Sequence, residues 1–395
     1  MIRELGVGRE RRLEVQRFAC LGCGHTFSLR FQARCRYSET FARDVVRRHV
    51  EGESYRVIAR EISEHTGRHI SPTSLQQMVA RVASRCKTAC EMSQELHPPG
   101  WSGMLVVDEK RVSVRGRSLW FYEAVDTTGD IIHWTPVSEC SVTEAMRFLE
   151  EIVALGYPCQ AITSDMDTSL TLAIGKVFAE KPHQYCVKHA LGALEMLMGY
   201  RTSSALRRRL RRELRTSFEQ LPLRKGLHLV RASRAFIDQW RHSRLSSRNA
   251  LAIERLHEQC RRILCARSQR QALDLLAQLR RSHSAVHVRK WRAVRFLEHH
   301  WVRLMRHHSV RGLPRTTNMA ETFNKQLKRR LKTIESFQHE TTAVNYMNLL
   351  VAYLRLKPYT DCRGRRKQLN GKSRLEAAGL PRAPGDWLDH CLKTP

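Results

Sequence analysis

The stretch Met104-Leu105-Val106-Val107-Asp108 says most about the fold of this chain. It follows Pro98-Pro99-Gly100, the clearest linker in the sequence, and at this point the hydrophobic pattern changes from helical spacing to short apolar runs. An apolar run of this length predicts a buried strand, and we expect the strand to end at Asp108. A carboxylate in that position lies at the sheet edge where ligands bind in open α/β folds.

Downstream of Asp108 the sequence alternates between strand and helix signals. Four more strands are predicted, at Ser118–Val125, Ile131–Val137, Ala161–Ser164 and His183–Val187. Two helices are predicted between them, at 141–155 and 169–179, the first opened by a capping box of Ser141 and Glu144. This order is typical of a ribonuclease-H-like α/β core. A doubly wound nucleotide-binding domain shares the second half of the pattern, but it carries a glycine-rich loop after its first strand, and residues 108–111 do not resemble one.

A second carboxylate, Asp165, directly follows the predicted strand Ala161–Ser164. If the two aspartate strands are neighbours, Asp108 and Asp165 can converge on one cation. Carboxylate oxygens in an incomplete shell suit Mg²⁺ or Mn²⁺. Asp167 lies two residues beyond Asp165 and is the acidic residue most easily confused with it; it could support the site from behind the ligands.

A third acidic candidate lies far downstream, in the stretch Thr316–Lys328. Asn318 and Glu321 have capping-box spacing, which on its own makes Glu321 structural. However, Glu321, Asn324, Lys325 and Lys328 also fall on one helical face. A carboxylate followed by amide and ammonium groups on that face could hold a metal ion and bind neighbouring phosphates. Spacing alone leaves both interpretations open.

The composition points to a polyanionic partner. The 395 residues carry a formal net charge of +31, and residues 190–308 read as a continuous, arginine-rich helical block with runs such as Arg207–Arg212. Such a charge favours nucleic acid. No segment approaches the roughly 20 apolar residues of a membrane-spanning helix, and no apolar block near the N-terminus resembles a signal peptide. We therefore expect a cytoplasmic, nucleoid-associated protein with no membrane partner.

Residues 38–97 predict a helical DNA-binding module. Helices are expected at 39–50, 55–65 and 72–86, with stops at Gly52 and Gly67 and with Ser71-Pro72 opening the third. This arrangement is typical of a helix-turn-helix, and a generic three-helix bundle is the alternative. The residues expected on the recognition helix are Thr73, Ser74, Gln76 and Gln77.

The N-terminal 37 residues contain one knuckle of a zinc ribbon. Cys20 and Cys23 have the Cys-x-x-Cys-Gly spacing of such a knuckle. A closed zinc site needs four ligands; His25 and Cys35 could complete it with unusual spacing, or the ribbon is partial.

Four segments occur in one order along the chain: Val106–Glu109, Ile162–Asp165, Gln184–His189 and Thr317–Asn324. Together they resemble the DDE transposases of bacterial insertion sequences, specifically the group similar to eukaryotic Mutator elements. That family has a ribonuclease-H-like core interrupted by a helical insertion before its last acidic residue. Asp165 follows Asp108 by 57 residues and Glu321 follows Asp165 by 156, which fits this plan. The resemblance covers about residues 15–380, and one knuckle of the family's usual two is visible here.

The resemblance implies a role for each segment. Asp108, Asp165 and Glu321 would be the catalytic triad that holds two Mg²⁺ or Mn²⁺ ions. Asn324, Lys325 and Lys328 would face the DNA, and Cys186 with His189 would match a structural Cys-x-x-His motif near the site. The partners would be terminal inverted repeats and target DNA, bound by a homodimer or larger assembly. Cys20 and Cys23 would be possible zinc ligands.

The expected organisation has six segments. They are a partial zinc-ribbon-like segment (1–37), a helix-turn-helix domain (38–97), the first part of the core (101–189), a basic helical insertion (190–312), the final core helices (313–357) and a basic, partly ordered tail (358–395). Two other functions are open: a transposase-derived DNA-binding regulator without catalytic activity, and a ribonuclease-H-type, structure-selective nuclease.

Overall fold

The computed structural model describes residues 2–10, 13–28, 37–67, 69–201, 204–205, 208, 212, 249–332, 334, 336–382 and 385–393. The strands are β1 Ile2–Glu10, β2 Leu13–Cys20, β3 Thr26–Ser28, β4 Met104–Val114, β5 Arg117–Asp126, β6 Ile131–Val137, β7 Ala161–Ser164 and β8 His183–Tyr185.

The helices of the N-terminal half are α1 Glu39–Glu51, α2 Tyr55–Thr66, α3 Pro72–Ala83, α4 Ala89–Leu96, α5 Val142–Ala154, α6 Thr168–Val177 and α7 Val187–Met198. Those of the C-terminal half are α8 (residues 249–264), α9 Gln269–Arg281, α10 His287–His299, α11 Trp301–Met305, α12 Asn318–Leu331, α13 Glu340–Leu356, α14 Arg374–Ala377 and α15 Trp387–Cys391. Short 3₁₀ turns occupy Arg306–His308 and Gly364–Leu369.

The chain divides into two compact units. Unit 1 comprises Met1–Gln160, Leu172–Ala179 and Asn318–Pro395, and unit 2 comprises Ala161–Thr171 and Glu180–Thr317. Both kinds of strand pairing occur: β4, β5 and β6 of unit 1 are antiparallel, and β7 and β8 of unit 2 are parallel. The chain is therefore a mixed α/β protein rich in helices.

The helical N-terminal module forms where the sequence signals place it. Serine side chains accept the capping hydrogen bonds at the starts of α1, α2 and α3, from Ser38, Ser54 and Ser71. Gly52 and Gly67 end α1 and α2 with positive φ angles of 112° and 64°, a conformation that glycine adopts without steric cost. The predicted helices are thus confirmed to within three residues. Helix α4 was not predicted, although a capping box of Thr88 and Glu91 opens it.

Much of the core of unit 1 is a hydrophobic cluster built from distant parts of the chain. It joins the inner faces of α1–α4 to β4–β6, α12 and α13, and it includes Leu375, Leu388 and Cys391 from the C-terminal segment. Ion pairs from Asp386 to Arg43 and Arg47 hold this segment against α1. Described residues of the predicted tail therefore pack on the core of unit 1, and the expectation of partial order stays a prediction.

Unit 2 is a helical body around the β7–β8 pair. Its apolar cluster combines α7–α11 with Tyr185 of β8. The predicted helical character of residues 190–308 is confirmed for the described helices, whereas most of the Arg207–Arg212 run lies outside the described residues. No helix in the described parts of either unit is long and apolar enough to cross a bilayer.

Candidate active site

Asp108 lies in the middle of a strand, not at its end. Strand β4 continues to Val114 and pairs with β5 along its whole length, from Leu105 opposite Asp126 to Val114 opposite Arg117. The two strands are joined by Arg115-Gly116, whose φ angles of 47° and 76° suit a tight hairpin turn. The charged residues after Asp108 do not end the strand because β5 satisfies their backbone groups. The predicted strand end at Asp108 was wrong for this reason.

The residue opposite Asp108 in the hairpin is Glu123, which sequence reasoning missed. The two residues are direct cross-strand partners, so their side chains share one face of the sheet. Glu123 is fully buried and Asp108 is 8% exposed. Burial, and after it the charge of Asp108, raises the pKa of the Glu123 carboxyl well above its usual range, while Lys110 opposes this shift. Counting back from Arg115-Gly116 pairs positions 108 and 123, and this was the signal available in the sequence.

Helix α12 lies against this acidic pair. Ala320 packs with Val106 of β4 and Val125 of β5, and the Phe323 ring meets the edge of Trp134 at a centroid distance of 5.7 Å. One turn further on, the Asn324 side chain donates a hydrogen bond from Nδ2 to Oε1 of Glu123 at 2.7 Å. Glu321 lies in the first turn of the same helix. The structure therefore places Glu321 and Asn324 on the helix that packs over the strand of Asp108.

Basic side chains continue along α12. Lys325 and Lys328 are both exposed. Lys328 is close enough to Lys110 of β4 to disfavour its charge: burial lowers the pKa of Lys110, Lys328 lowers it further, and Glu123 and Asp108 act in the opposite direction. The acidic pair of unit 1 therefore adjoins two ammonium groups.

Asp165 belongs to unit 2, where it directly follows β7 as predicted. Its Oδ1 accepts a hydrogen bond from the backbone N–H of Asp167 at 3.0 Å. Burial raises the pKa of Asp165, an effect that the Asp167 hydrogen bond and the charge of His189 oppose. Asp167 itself accepts from the N–H of Leu170 at 2.9 Å, so its carboxylate caps the first turn of α6.

Cys186 and His189 lie beside Asp165. Cys186 is buried at the N-terminal end of α7, and its Sγ accepts hydrogen bonds from the backbone N–H and the hydroxyl of Thr317, at 3.4 and 3.5 Å. Burial opposes ionisation of this thiol, yet hydrogen bonds from His189 and Thr317 lower its pKa overall. This pair thus ties the start of α7 to Thr317, the residue before α12.

Asp108 and Glu321 belong to unit 1, and Asp165 to unit 2. Within the described ranges, no three His, Cys, Asp or Glu side chains already form a metal-binding cluster. Assignment of the three residues to one metal centre stays a prediction.

The Cys20 knuckle is a tight turn between β2 and β3. The backbone N–H of Gly24 donates to the carbonyl of Cys20 at 2.8 Å, and the N–H of Cys20 donates to the carbonyl of His25 at 2.9 Å. Hydrogen bonds from the backbone of Cys23 and Gly22 and from the Cys23 side chain lower the pKa of the Cys20 thiol. The two sulfur-bearing residues therefore converge, while Cys35 lies outside the described residues.

The proposed recognition helix, α3, presents three of its four predicted DNA-binding residues to solvent. Thr73, Gln76 and Gln77 are exposed. The Ser74 hydroxyl lies 2.9 Å from that of Ser71 in the capping turn, which leaves it less able to reach a base.

The sequence matches no protein-family model, and no curated protein gives a significant match to it.

Proposed function

We propose that this chain is a DDE-type transposase with a ribonuclease-H-like core. It would bind the terminal inverted repeats of its element and catalyse metal-dependent DNA cleavage and strand transfer. The observation that carries the proposal is the buried Asp108–Glu123 pair under α12, a helix with Glu321 in its first turn and with Lys325 and Lys328 exposed further along. Buried acid pairs next to clustered cations are costly in a purely structural role, which supports a binding or catalytic one.

The donor chemistry fits a hard divalent cation. Asp108 and Glu123 are cross-strand partners in a buried setting, and the raised pKa of Glu123 reflects the cost of negative charge there, from burial first and from the charge of Asp108 second. A cation would reduce this cost. The proposed ligands are Asp108, Asp165 and Glu321, and their oxygen donors suit Mg²⁺ or Mn²⁺. Two such ions, when bound, would activate a water or 3′-hydroxyl and stabilise the departing oxygen.

The chain's own groups would orient the reacting DNA. Asn324 orients the Glu123 carboxyl by donating a hydrogen bond to its Oε1. Lys325 and Lys328 provide exposed ammonium groups for phosphates, and unit 2 has exposed arginines of its own, such as Arg261 and Arg262, that would also bind phosphates. We further propose that the protein assembles on DNA as a dimer or larger, and that it acts in the cytoplasm at the nucleoid.

The test is cleavage of labelled DNA ends taken from the inverted repeats that flank the gene, with Mg²⁺. Wild type should make nicked and joined products. Asp108→Asn, Asp165→Asn and Glu321→Gln should each reduce the rate by about a thousandfold, since metal-assisted charge stabilisation contributes several kcal/mol. Glu139→Gln is the matched control, because this exposed carboxylate precedes α5 and belongs to no proposed site. Repeat-specific binding without cleavage under any divalent metal would instead identify a DNA-binding regulator. Equal cleavage of branched or hybrid substrates lacking the repeats would identify a structure-selective nuclease.

A further inference from the structure

A cleft lies beside the acidic pair in unit 1, between β4 and the C-terminal end of α12. It has a volume of about 270 Å³. Its polar and aromatic lining comes from Lys110, Arg111 and Ser113 of β4, Lys328 of α12, and Ser336 and Phe337 of the following segment.

The wall of the cleft opposite α12 is fixed by backbone hydrogen bonds. The N–H of Phe337 donates to the carbonyl of Ser113 at 3.3 Å, and the N–H of Arg115 donates to the carbonyl of Phe337 at 2.9 Å. The Phe337 side chain is buried in the same hydrophobic cluster as Val112 and Val114. The cleft is therefore a built feature of the fold and does not depend on flexible surface side chains for its shape.

The charges that line the cleft all have the same sign. Lys110 and Lys328 repel each other, and Arg111 adds a third, exposed cation. Among the described residues that line the cleft, none carries a carboxylate. Glu123 acts on Lys110 from the side of the acidic pair, but its own carboxyl is buried and already accepts from Asn324. An anion in the cleft would relieve the repulsion between the two ammonium groups.

The position of the cleft follows from the matched spacing of contacts along strand β4 and helix α12. Along α12, Ala320 packs on Val106, Asn324 bonds to the partner of Asp108, and Lys328 acts on Lys110. Four residues of helix rise about 6 Å and two residues of strand about 6.6 Å, so the two elements stay in step. Lys110 therefore lies on the same face as Asp108, about 7 Å further along β4.

We infer that this cleft binds a backbone phosphate of nucleic acid through Lys110 and Lys328, with Arg111 adding positive charge at its rim and the hydroxyl of Ser336 available as a further donor. The inference deepens the proposed function and rests on it for the identity of the polymer. A phosphodiester held here would fix the DNA strand next to the phosphodiester that is presented to Asp108.

The first test measures binding of a labelled DNA duplex to the full-length protein without divalent metal, over a range of salt concentrations. The double variant Lys110→Gln, Lys328→Gln should bind about a hundredfold more weakly, roughly tenfold for each charged contact. The slope of log affinity against log salt should fall by about 2, because two phosphate contacts are lost. The control is Lys332→Gln, Lys372→Gln, which removes the same two charges at exposed positions outside the cleft. Equal losses of affinity and slope in the two double variants would overturn the inference.

The second test separates loss of a ligand site from loss of folding. Lys110 is attracted by Glu123 and Asp108 and repelled by Lys328, so the melting temperatures of the cleft variant, the control variant and wild type are measured, and binding is compared at a temperature where all three are folded. A binding defect that appears only where the cleft variant is unfolded would reflect loss of folding, and this outcome would contradict an anion site. Lys328→Arg keeps the charge and should retain most of the affinity.

The outcomes for the inference and for the proposed function are distinguishable. If wild type cleaves repeat ends and the cleft variant binds and cleaves as well as wild type, only the cleft assignment is overturned. If wild type does not cleave DNA but the cleft variant has a specific binding defect, the catalytic proposal is overturned and the phosphate site is supported.

Discussion

Strand β5 carries two buried acidic regions that differ in how their charges are satisfied. One, called the turn region below, is the end of the strand at Asp126 together with Asp130 in the turn that follows, and the other is the strand interior, where Glu123 faces Asp108. All four side chains are buried. The comparison separates acids that hold the fold together from acids that are available for function.

The turn region has partners for both carboxylates. Asp130 accepts from Nε and Nη2 of Arg355 at 2.7 and 2.9 Å and from the indole N–H of Trp101 at 2.9 Å. Asp126 accepts from the backbone and hydroxyl of Ser102 and from the Tyr157 hydroxyl. Such complete hydrogen bonding is what a buried structural carboxylate requires.

The strand interior is different. Glu123 has one oxygen bonded to Asn324, whereas its buried Oε2 has no hydrogen-bond partner among the described residues. Its neighbour across the strand is another acid. An arrangement of this kind is retained for binding or chemistry more readily than for stability.

The largest expected effect comes from removing a carboxylate from the turn region, where both carboxylates are fully hydrogen-bonded. Asp130→Ala removes the carboxylate from a fully buried ion pair and leaves the Arg355 guanidinium without it. We expect the free energy of unfolding to fall by about 3–5 kcal/mol, measured by urea titration. Asp130→Leu with Arg355→Met should recover much of the loss, because it removes both charges. If the single variant costs less than about 1 kcal/mol, the turn is not a structural anchor.

Asp126→Asn should have the next largest effect. The Oδ2 atom accepts three hydrogen bonds, from Ser102 N–H, Ser102 Oγ–H and the Tyr157 hydroxyl. An amide has one oxygen and cannot replace both carboxylate oxygens, so we expect a loss of about 2 kcal/mol in unfolding free energy. Repeat-end cleavage should persist under conditions where the variant is folded. Loss of cleavage in the folded variant would show that the contrast between the two regions is false.

Glu123→Gln should raise the free energy of unfolding, by an amount that depends on pH. The folded-state pKa of Glu123 is raised above its unfolded value of 4.5, so the folded protein holds a proton that the unfolded chain releases. The stability that the protonated Glu123 carboxyl contributes is fully present below pH 4.5 and is lost as pH rises toward the folded-state pKa. The variant keeps an acceptor for Asn324 and should be more stable than wild type by about 1–2 kcal/mol at pH 8, with no difference at pH 4.

The measurement is urea unfolding of Glu123→Gln, wild type and the exposed control Glu139→Gln at both pH values. A variant less stable than wild type at pH 8 would mean that the Glu123 carboxylate is well satisfied, and the two regions would then be alike.

The local sequence was enough to predict the position of Asp165 but not the surroundings of Asp108. The bounds of β7 and the position of Asp165 at its end follow from the local sequence, in which two apolar residues and two small hydroxyl residues precede the aspartate. The setting of Asp108 depends on the hairpin register, which brings Glu123 from 15 residues away along the chain. Asn324 reaches Glu123 across 201 residues. No periodicity encodes such a contact, and for the same reason the packing of the C-terminal segment on α1 escaped prediction.

The smallest expected effect concerns Asn324, which the sequence assigned to DNA and the structure bonds to Glu123. Asn324→Ala should lower the unfolding free energy by about 1 kcal/mol, the contribution of one hydrogen bond. The loss should be smaller in the Glu123→Leu background, where the acceptor is absent, and the double-mutant cycle should give a coupling of about 1 kcal/mol. The salt slope of DNA binding should not change, because the amide is neutral. Additivity within about 0.5 kcal/mol, together with weaker DNA binding, would show that Asn324 serves the DNA and that Glu123 is oriented by other groups.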